Sequence, residues 1–182
     1  MQLWLVRHAL PLVAAGTCYG SLDVPADAQA SADAAAALAL VLPAPLNAMC
    51  SPLQRCLALQ HALQKLRPDL RFRTEPHLAE MHFGDWEGQR WDAIGQSAID
   101  AWTRDFGQHH PGGGESVNAL LQRVGALLDA TQSAGTDAVW LAHAGVIRAA
   151  RLWAAGTRQL RSANDWPTDA PSFGQWETLT LG

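Results

Sequence analysis

Three short apolar runs frame this chain. Leu3-Trp4-Leu5-Val6, Asn47 to Cys50 and Ala138-Val139-Trp140-Leu141-Ala142 are each strand-sized and each run into a polar residue. Runs with no polar alternation mark strands covered on both faces, so Gln2 to Val6 and Ala138 to Ala142 are expected near the middle of a sheet. Between them the period lengthens to that of a helix. Asp27 to Leu42 is alanine-rich, with Asp27 placed to cap it and Pro43 to stop it. Ser51-Pro52 has the form of an N-cap followed by proline at the first helical position, opening a helix from Leu53 to Arg67. Leu53, Leu57, Leu59, Leu63 and Leu66 supply its apolar positions.

Further on, Arg71 to Thr74 reads as a short strand and Arg90 to Phe106 as a polar helical region. His109-His110-Pro111-Gly112-Gly113-Gly114 is a break. After Glu115-Ser116, with Glu115 as the expected cap, Val117, Leu120, Leu121, Val124, Leu127 and Leu128 keep the spacing of one buried helix face, which Gly135 ends. A helix from Val146 to Ala155 and a last strand from Trp176 to Leu181 complete the pattern. Strand and helix alternate throughout, which predicts an α/β architecture in one domain spanning residues 1–182.

Composition narrows the classes. A hydrophobic share of 48% and a charged share of 16% are globular values, and 182 residues suffice for a sizeable core. A net charge of −4 without a basic block argues against a nucleic-acid partner. Cys18, Cys50 and Cys56 are odd in number and lack metal-knuckle spacing, as expected of reduced thiols in a cytoplasmic protein. The stretch Ala34 to Leu42 is too short to span a bilayer, and the first residues lack the form of a secretory signal. Nothing in the pattern specifies an oligomeric state.

The chemistry lies where the apolar runs end. His8 follows the first run and His143 the later one, each before a small residue, and open α/β sheets bind ligands at such strand ends. One imidazole there can be a nucleophile and the other can help hold the group it attacks. Arg7 precedes His8, and Arg55 falls in the first turn of a helix that follows a strand. An arginine is costly to bury unpaired, so at a helix start it is better placed facing an anion. Glu80, Asp85 and Glu87 share a loop rich in aromatic residues and glycine, Leu78 to Gly88. His82 reads as a loop residue near Trp86, and the adjacent His109 and His110 as solvated.

Taken in order, Leu5-Val6-Arg7-His8, Ser51-Pro52-Leu53-Gln54-Arg55, Glu80 four residues before Gly84, and His143-Ala144-Gly145 resemble the motif series of the histidine phosphatases, the phosphoglycerate mutase-like superfamily. Gly16-Thr17-Cys18-Tyr19-Gly20, Phe83-Gly84-Asp85-Trp86-Glu87-Gly88 and Pro111-Gly112-Gly113-Gly114-Glu115-Ser116 resemble its α-ribazole phosphatase-like branch. The resemblance implies a three-layer fold with a mostly parallel central sheet and helices on both faces. It implies that His8 takes the phosphoryl group, that Arg7, Arg55 and His143 bind its oxygens, and that Glu80 protonates the leaving oxygen and later deprotonates water. Ala14 stands where the mutase branch often has asparagine, and Thr17 is the candidate replacement for that phosphate contact. No metal or cofactor is implied, and the partner is a small phosphorylated metabolite.

Three functions fit these residues: a metal-independent phosphomonoesterase acting through phosphohistidine, a phosphoglycerate mutase, and a non-catalytic phosphate-binding domain. The short stretch between Gly88 and Pro111 leaves little chain to close over substrate, which favours water as the acceptor. The branch resemblance implies α-ribazole 5′-phosphate as substrate, with the loops Ala9 to Ala26 and Thr157 to Pro171 shaping the leaving-group side.

Overall fold

A computed structural model describes residues 1–182. Five strands, β1 (Gln2–Arg7), β2 (Asn47–Cys50), β3 (Phe72–Thr74), β4 (Ala138–Ala142) and β5 (Trp176–Thr180), form one sheet in the order β3-β2-β4-β1-β5. All pairs are parallel except β1 with β5. Helices α1 (Ala28–Val41) and α2 (Gln54–Leu66) cover one face, and α4 (Val117–Ser133) and α5 (Ala144–Ala154) cover the other. The expected three-layer, mostly parallel α/β fold is the one observed.

Strand periodicity divides the core in two. Leu3, Leu5, Ala138, Trp140 and Ala142 pack toward α4 and α5, while Val6, Val139 and Leu141 pack toward α1 and α2. Successive side chains on a strand point to opposite faces, so one apolar run feeds both layers. Each fully buried leucine contributes about 1.5–3 kcal/mol of transfer free energy, which makes the central strands a rigid frame for the residues at their ends. Leu66 departs from the expected pattern: it is half-exposed at the end of α2, where Arg55, Cys56, Leu59 and Leu63 form the buried stripe.

The register aligns the ends that matter. Arg7 lies opposite Ala142, and Cys50 lies opposite Leu141, so His8, Ser51 and His143 all leave the sheet at the same edge. The order of strands places β4 between β1 and β2, which brings residues distant in sequence to adjacent strand ends.

Several helix starts differ from the sequence expectation for specific reasons. Helix α2 begins at Gln54 with Leu53 in the cap position, because Asp23 from the loop between β1 and α1 accepts from the Gln54 N–H at 2.7 Å. Ser51, the expected cap, keeps only a long contact of 3.4 Å from the Leu53 N–H and has a closer partner elsewhere. Ser116, rather than Glu115, caps α4 through the Ala119 N–H. Glu115 instead pairs with Arg123 in a two-bond fork of 2.6 and 2.9 Å. Helix α5 begins at Ala144, two residues earlier than expected, directly after His143. Of the region Arg90 to Phe106, only α3 (Gln96–Arg104) is helical, and the segment before it turns.

The loop carrying Glu80 is locked by close backbone packing. Gly84 and Gly112 both have positive φ, at 55° and 59°, and a side chain on either would strike the other's loop. Glu115 N–H donates to the His82 carbonyl at 2.7 Å across the same contact. His82 itself is exposed rather than packed on Trp86. No helix is long and apolar enough to cross a membrane.

Candidate active site

His8 is buried at the end of β1, and its Nδ1 lies 2.7 Å from the Ala9 carbonyl. A carbonyl only accepts, so Nδ1 carries the proton and Nε2 keeps its lone pair. Burial pushes the imidazole down to about 3, which keeps it neutral at ordinary pH. His8 is therefore held in the form that can attack.

Arg7 and Arg55 flank it, fixed largely by main-chain oxygens. Arg7 donates from Nη1 to the Pro171 carbonyl at 3.0 Å and lies over the Phe173 ring at 3.9 Å. Its Nε is buried without a partner. Arg55 donates from Nη1 to Leu22, from Nη2 to Gly20, and from Nε to His143 Nδ1. A guanidinium carries five donors, so Arg55 keeps N–H groups to spare on both terminal nitrogens, and Arg7 keeps at least its Nε–H. Unsatisfied donors at a buried position favour an anionic occupant.

His143 joins the cluster with its ring centroid 5.1 Å from that of His8. It is fully buried, and both of its nitrogens are engaged. Nδ1 accepts from Arg55, so Nε2 carries the proton of the neutral ring and donates to Ser51 Oγ at 2.8 Å. Burial again drives the imidazole well below its ordinary value, with the Arg55 charge adding to the effect. The structure thus brings His143 behind Arg55 rather than onto the open surface of the site. Ser51, which has the form of a cap in sequence, is its partner.

Glu80 reaches the site from the loop after β3. Its carboxylate accepts from the Met81 N–H at 3.0 Å and the Gly145 N–H at 2.9 Å. A methyl group on Gly145 would collide with that carboxylate, so glycine there is a condition of Glu80's position. Cys18 is not a competing nucleophile, since burial raises its thiol to about 12. No three His, Cys, Asp or Glu side chains are grouped to hold a metal ion.

Arg7, His8, Arg55 and Glu80 open onto a cavity of about 280 Å³, and Thr17 lies on its wall. Its far side is aromatic, built from Phe83, Trp91, Trp102, Phe106 and Trp166, while Tyr19 lies beside the arginines with its ring 5.5 Å from the Arg55 guanidinium. Phe83 meets Trp91 and Trp102 edge-on at 5.5 and 5.9 Å, and Trp102 stacks on Phe106 at 5.4 Å. The loop after His8 lines the cavity through Thr17, Tyr19 and Gly20, and Trp166 of the far wall comes from the later loop. Trp91, Trp102 and Phe106 come from the segment between Gly88 and Pro111, whose sequence reads as a short, largely polar helical region rather than as part of a binding wall. Phe173 escapes a reading of the sequence too, since nothing there ties it to Arg7 and His8. Its only signal is an aromatic residue in a polar loop before a strand.

A mostly parallel sheet gathers two histidines, two arginines and a carboxylate at its strand ends, an arrangement of fixed positive charge beside a neutral imidazole that suits an anionic group. The chain belongs to the histidine phosphatase superfamily (branch 1), whose family model matches residues 3–179. It is 29% identical over 129 residues to the adenosylcobalamin/alpha-ribazole phosphatase of Salmonella typhimurium, an alignment covering 68% of this chain and 63% of that protein. The Escherichia coli protein of the same name is 30% identical over 131 residues with the same coverage. The aligned part of the chain spans under two thirds of these relatives' length.

Among solved structures, the mycobacterial glucosyl-3-phosphoglycerate phosphatase superposes with a TM-score of 0.80 at 26% identity, covering 97% of this chain and 88% of that one. A phosphoglycerate mutase from Thermus thermophilus gives a TM-score of 0.67 at 35% identity over 82% of this chain and 81% of the other. Three of these four relatives are named as phosphatases.

Proposed function

We propose that this chain is a metal-independent phosphomonoesterase that works through a phosphohistidine, with α-ribazole 5′-phosphate or a similar small phosphorylated aromatic metabolite as substrate. The observation that carries the mechanism is His8. Its Nδ1 is tied to a carbonyl, and its Nε2 is free between two arginines with unused donors. In the first step Nε2 attacks phosphorus, the bond to the leaving oxygen breaks, and Glu80 gives that oxygen its proton. In the second, Glu80 takes a proton from water, whose oxygen attacks phosphorus. The P–N bond then breaks, returning neutral His8 and releasing inorganic phosphate. Arg7 and Arg55 bind the phosphoryl oxygens in both steps, charge already in place before reaction. His143 acts on that group through Arg55, and a direct contact from its Nε2 requires it to leave Ser51. Thr17 is the further candidate for a phosphate contact.

The aromatic wall supports the choice of leaving group. The five aromatic side chains of the far wall suit a planar base far better than a carboxylate or a bare polyol. The names of the Salmonella and E. coli relatives point the same way. The mutase reading keeps one supporting observation, the 35% identity to the Thermus thermophilus enzyme. A panel of metabolite phosphates tests both readings, with phosphate release and isomerisation followed together. α-Ribazole 5′-phosphate is expected to give the highest kcat/KM, unchanged by a metal chelator. Dominant isomerisation of 3-phosphoglycerate would establish the mutase instead, and a chelator-sensitive rate restored by metal would overturn metal independence.

A further inference from the structure

Glu87 lies behind the cavity wall, yet its carboxylate accepts four hydrogen bonds, from Ser21 N–H, Ser21 Oγ, Leu22 N–H and Phe83 N–H. The distances run from 2.8 to 3.1 Å. The strip it grips also holds Arg55, because the Gly20 and Leu22 carbonyls accept from Arg55 Nη2 and Nη1 at 2.6 and 2.9 Å. Gly20 O and Ser21 N belong to one peptide unit. In a trans peptide the C=O and N–H point in opposite directions, so that single plane has the Glu87 carboxylate at one end and the Arg55 guanidinium at the other.

We propose that Glu87 is a positioning residue for Arg55, acting through the Gly20–Ser21 peptide. A negative charge at the N–H end orients the plane and pushes electron density onto the carbonyl oxygen, strengthening its hold on the guanidinium. Gly20 has no freedom to compensate, since a side chain there would strike the Met81 carbonyl and the Phe83 ring. Through Phe83 N–H the same carboxylate also fixes one panel of the aromatic wall. Glu87 therefore sets the two ends of the cavity against each other without touching substrate. This inference rests on the reading of Arg55 as a phosphate-binding residue.

The test is a double-mutant cycle on Glu87→Gln and Arg55→Lys, read by calorimetric binding of inorganic phosphate and by kcat/KM on the best substrate of the panel. Gln matches the shape of Glu but removes the charge and turns an N–H₂ toward backbone donors. Glu87→Gln is expected to weaken phosphate binding on the order of tenfold, the scale of one lost charge-assisted hydrogen bond. In the Arg55→Lys background its further effect should fall below about twofold, because coupled residues are not additive. A merely structural loss would multiply equally in both backgrounds, and that result overturns the relay while leaving the phosphate site intact. Failure of the unmodified protein to bind phosphate overturns the site reading and the relay with it. If Glu87→Gln does not fold, Glu87→Asp, which keeps the charge on a shorter arm, enters the same cycle under the same criterion.

Discussion

The two ends of the cavity are built by different means. At the phosphate end, four functional side chains are held by main-chain atoms: His8 by the Ala9 carbonyl, Arg7 by Pro171, Arg55 by Gly20 and Leu22, Glu80 by two N–H groups; His143 alone rests on side chains, those of Ser51 and Arg55. At the far end, side chain rests on side chain, with Phe83, Trp91, Trp102 and Phe106 in edge-on and stacked pairs. A backbone partner persists through almost any substitution, whereas an aromatic pair is lost when either ring is replaced. The phosphate end thus depends on the few neighbours that set its main chain, Glu87 and Gly145 among them, whereas the aromatic end is open to retuning ring by ring for a different leaving group.

Breaking the phosphate end should have the largest consequences. His8→Ala is expected to lower turnover by a factor on the order of 10⁴ to 10⁶, as removal of a nucleophile does elsewhere. It should also abolish the acid-labile, base-stable phosphate found on quenched enzyme. Persistence of that label in His8→Ala would place the nucleophile elsewhere. Glu80→Gln should slow both formation and breakdown of the phosphoenzyme by roughly 10²- to 10⁴-fold. Gly145→Ala should resemble it in kcat while leaving phosphate affinity nearly intact, because the added methyl displaces Glu80 and not the arginines. Equal losses in kcat and phosphate affinity would show that Gly145 serves the whole pocket.

The aromatic end should respond more gently and more selectively. Trp102→Ala is expected to reduce kcat/KM for an aromatic substrate on the order of tenfold, while hardly changing that for a small sugar phosphate. Parallel losses on both would erase the distinction between the two ends.

The last effect concerns acid, and it acts on stability rather than on turnover. His8 is held neutral by burial, with its ordinary value of 6.5 lowered to about 3, and His143 is lowered in the same direction. The unfolded chain takes up protons on these groups below pH 6.5 while the folded chain does not, so stability falls from about pH 6.5 downward. For His8 the loss levels off near pH 3. Each group contributes at most about 1.4 kcal/mol per pH unit within its window. His8→Gln should flatten this slope in denaturant titrations; an unchanged slope would mean that His8 is not protected from protons in the folded state.

How far the site is legible in sequence follows the same division. The strand ends are readable because an apolar run that stops at Arg7-His8 or at His143 announces both the sheet and its functional edge. Arg55 is readable because an arginine in the first turn of a helix needs an anion. Ser51 is misleading because Ser-Pro before a helix has the form of a cap, and only the fold brings Asp23 near enough to take that role. The aromatic wall is legible only through the later loop that carries Trp166, and not as a set of rings. Trp91 sits in a turn, Trp102 in a short helix and Trp166 in a distant loop, so no periodicity links them. They meet through tertiary packing, to which local patterns are blind.

The place of β1 in the sheet has a kinetic consequence. Its neighbours are β4 and β5, both from the far part of the chain, so neither pairing can form until long loops have closed. Arg7 and His8 acquire their surroundings only with those pairings, from Ala142 on one side and the loop before β5 on the other. Recovery of catalysis during refolding is therefore expected to trail the helical signal, with enzyme activity serving as a clock for the last long-range contacts to be made.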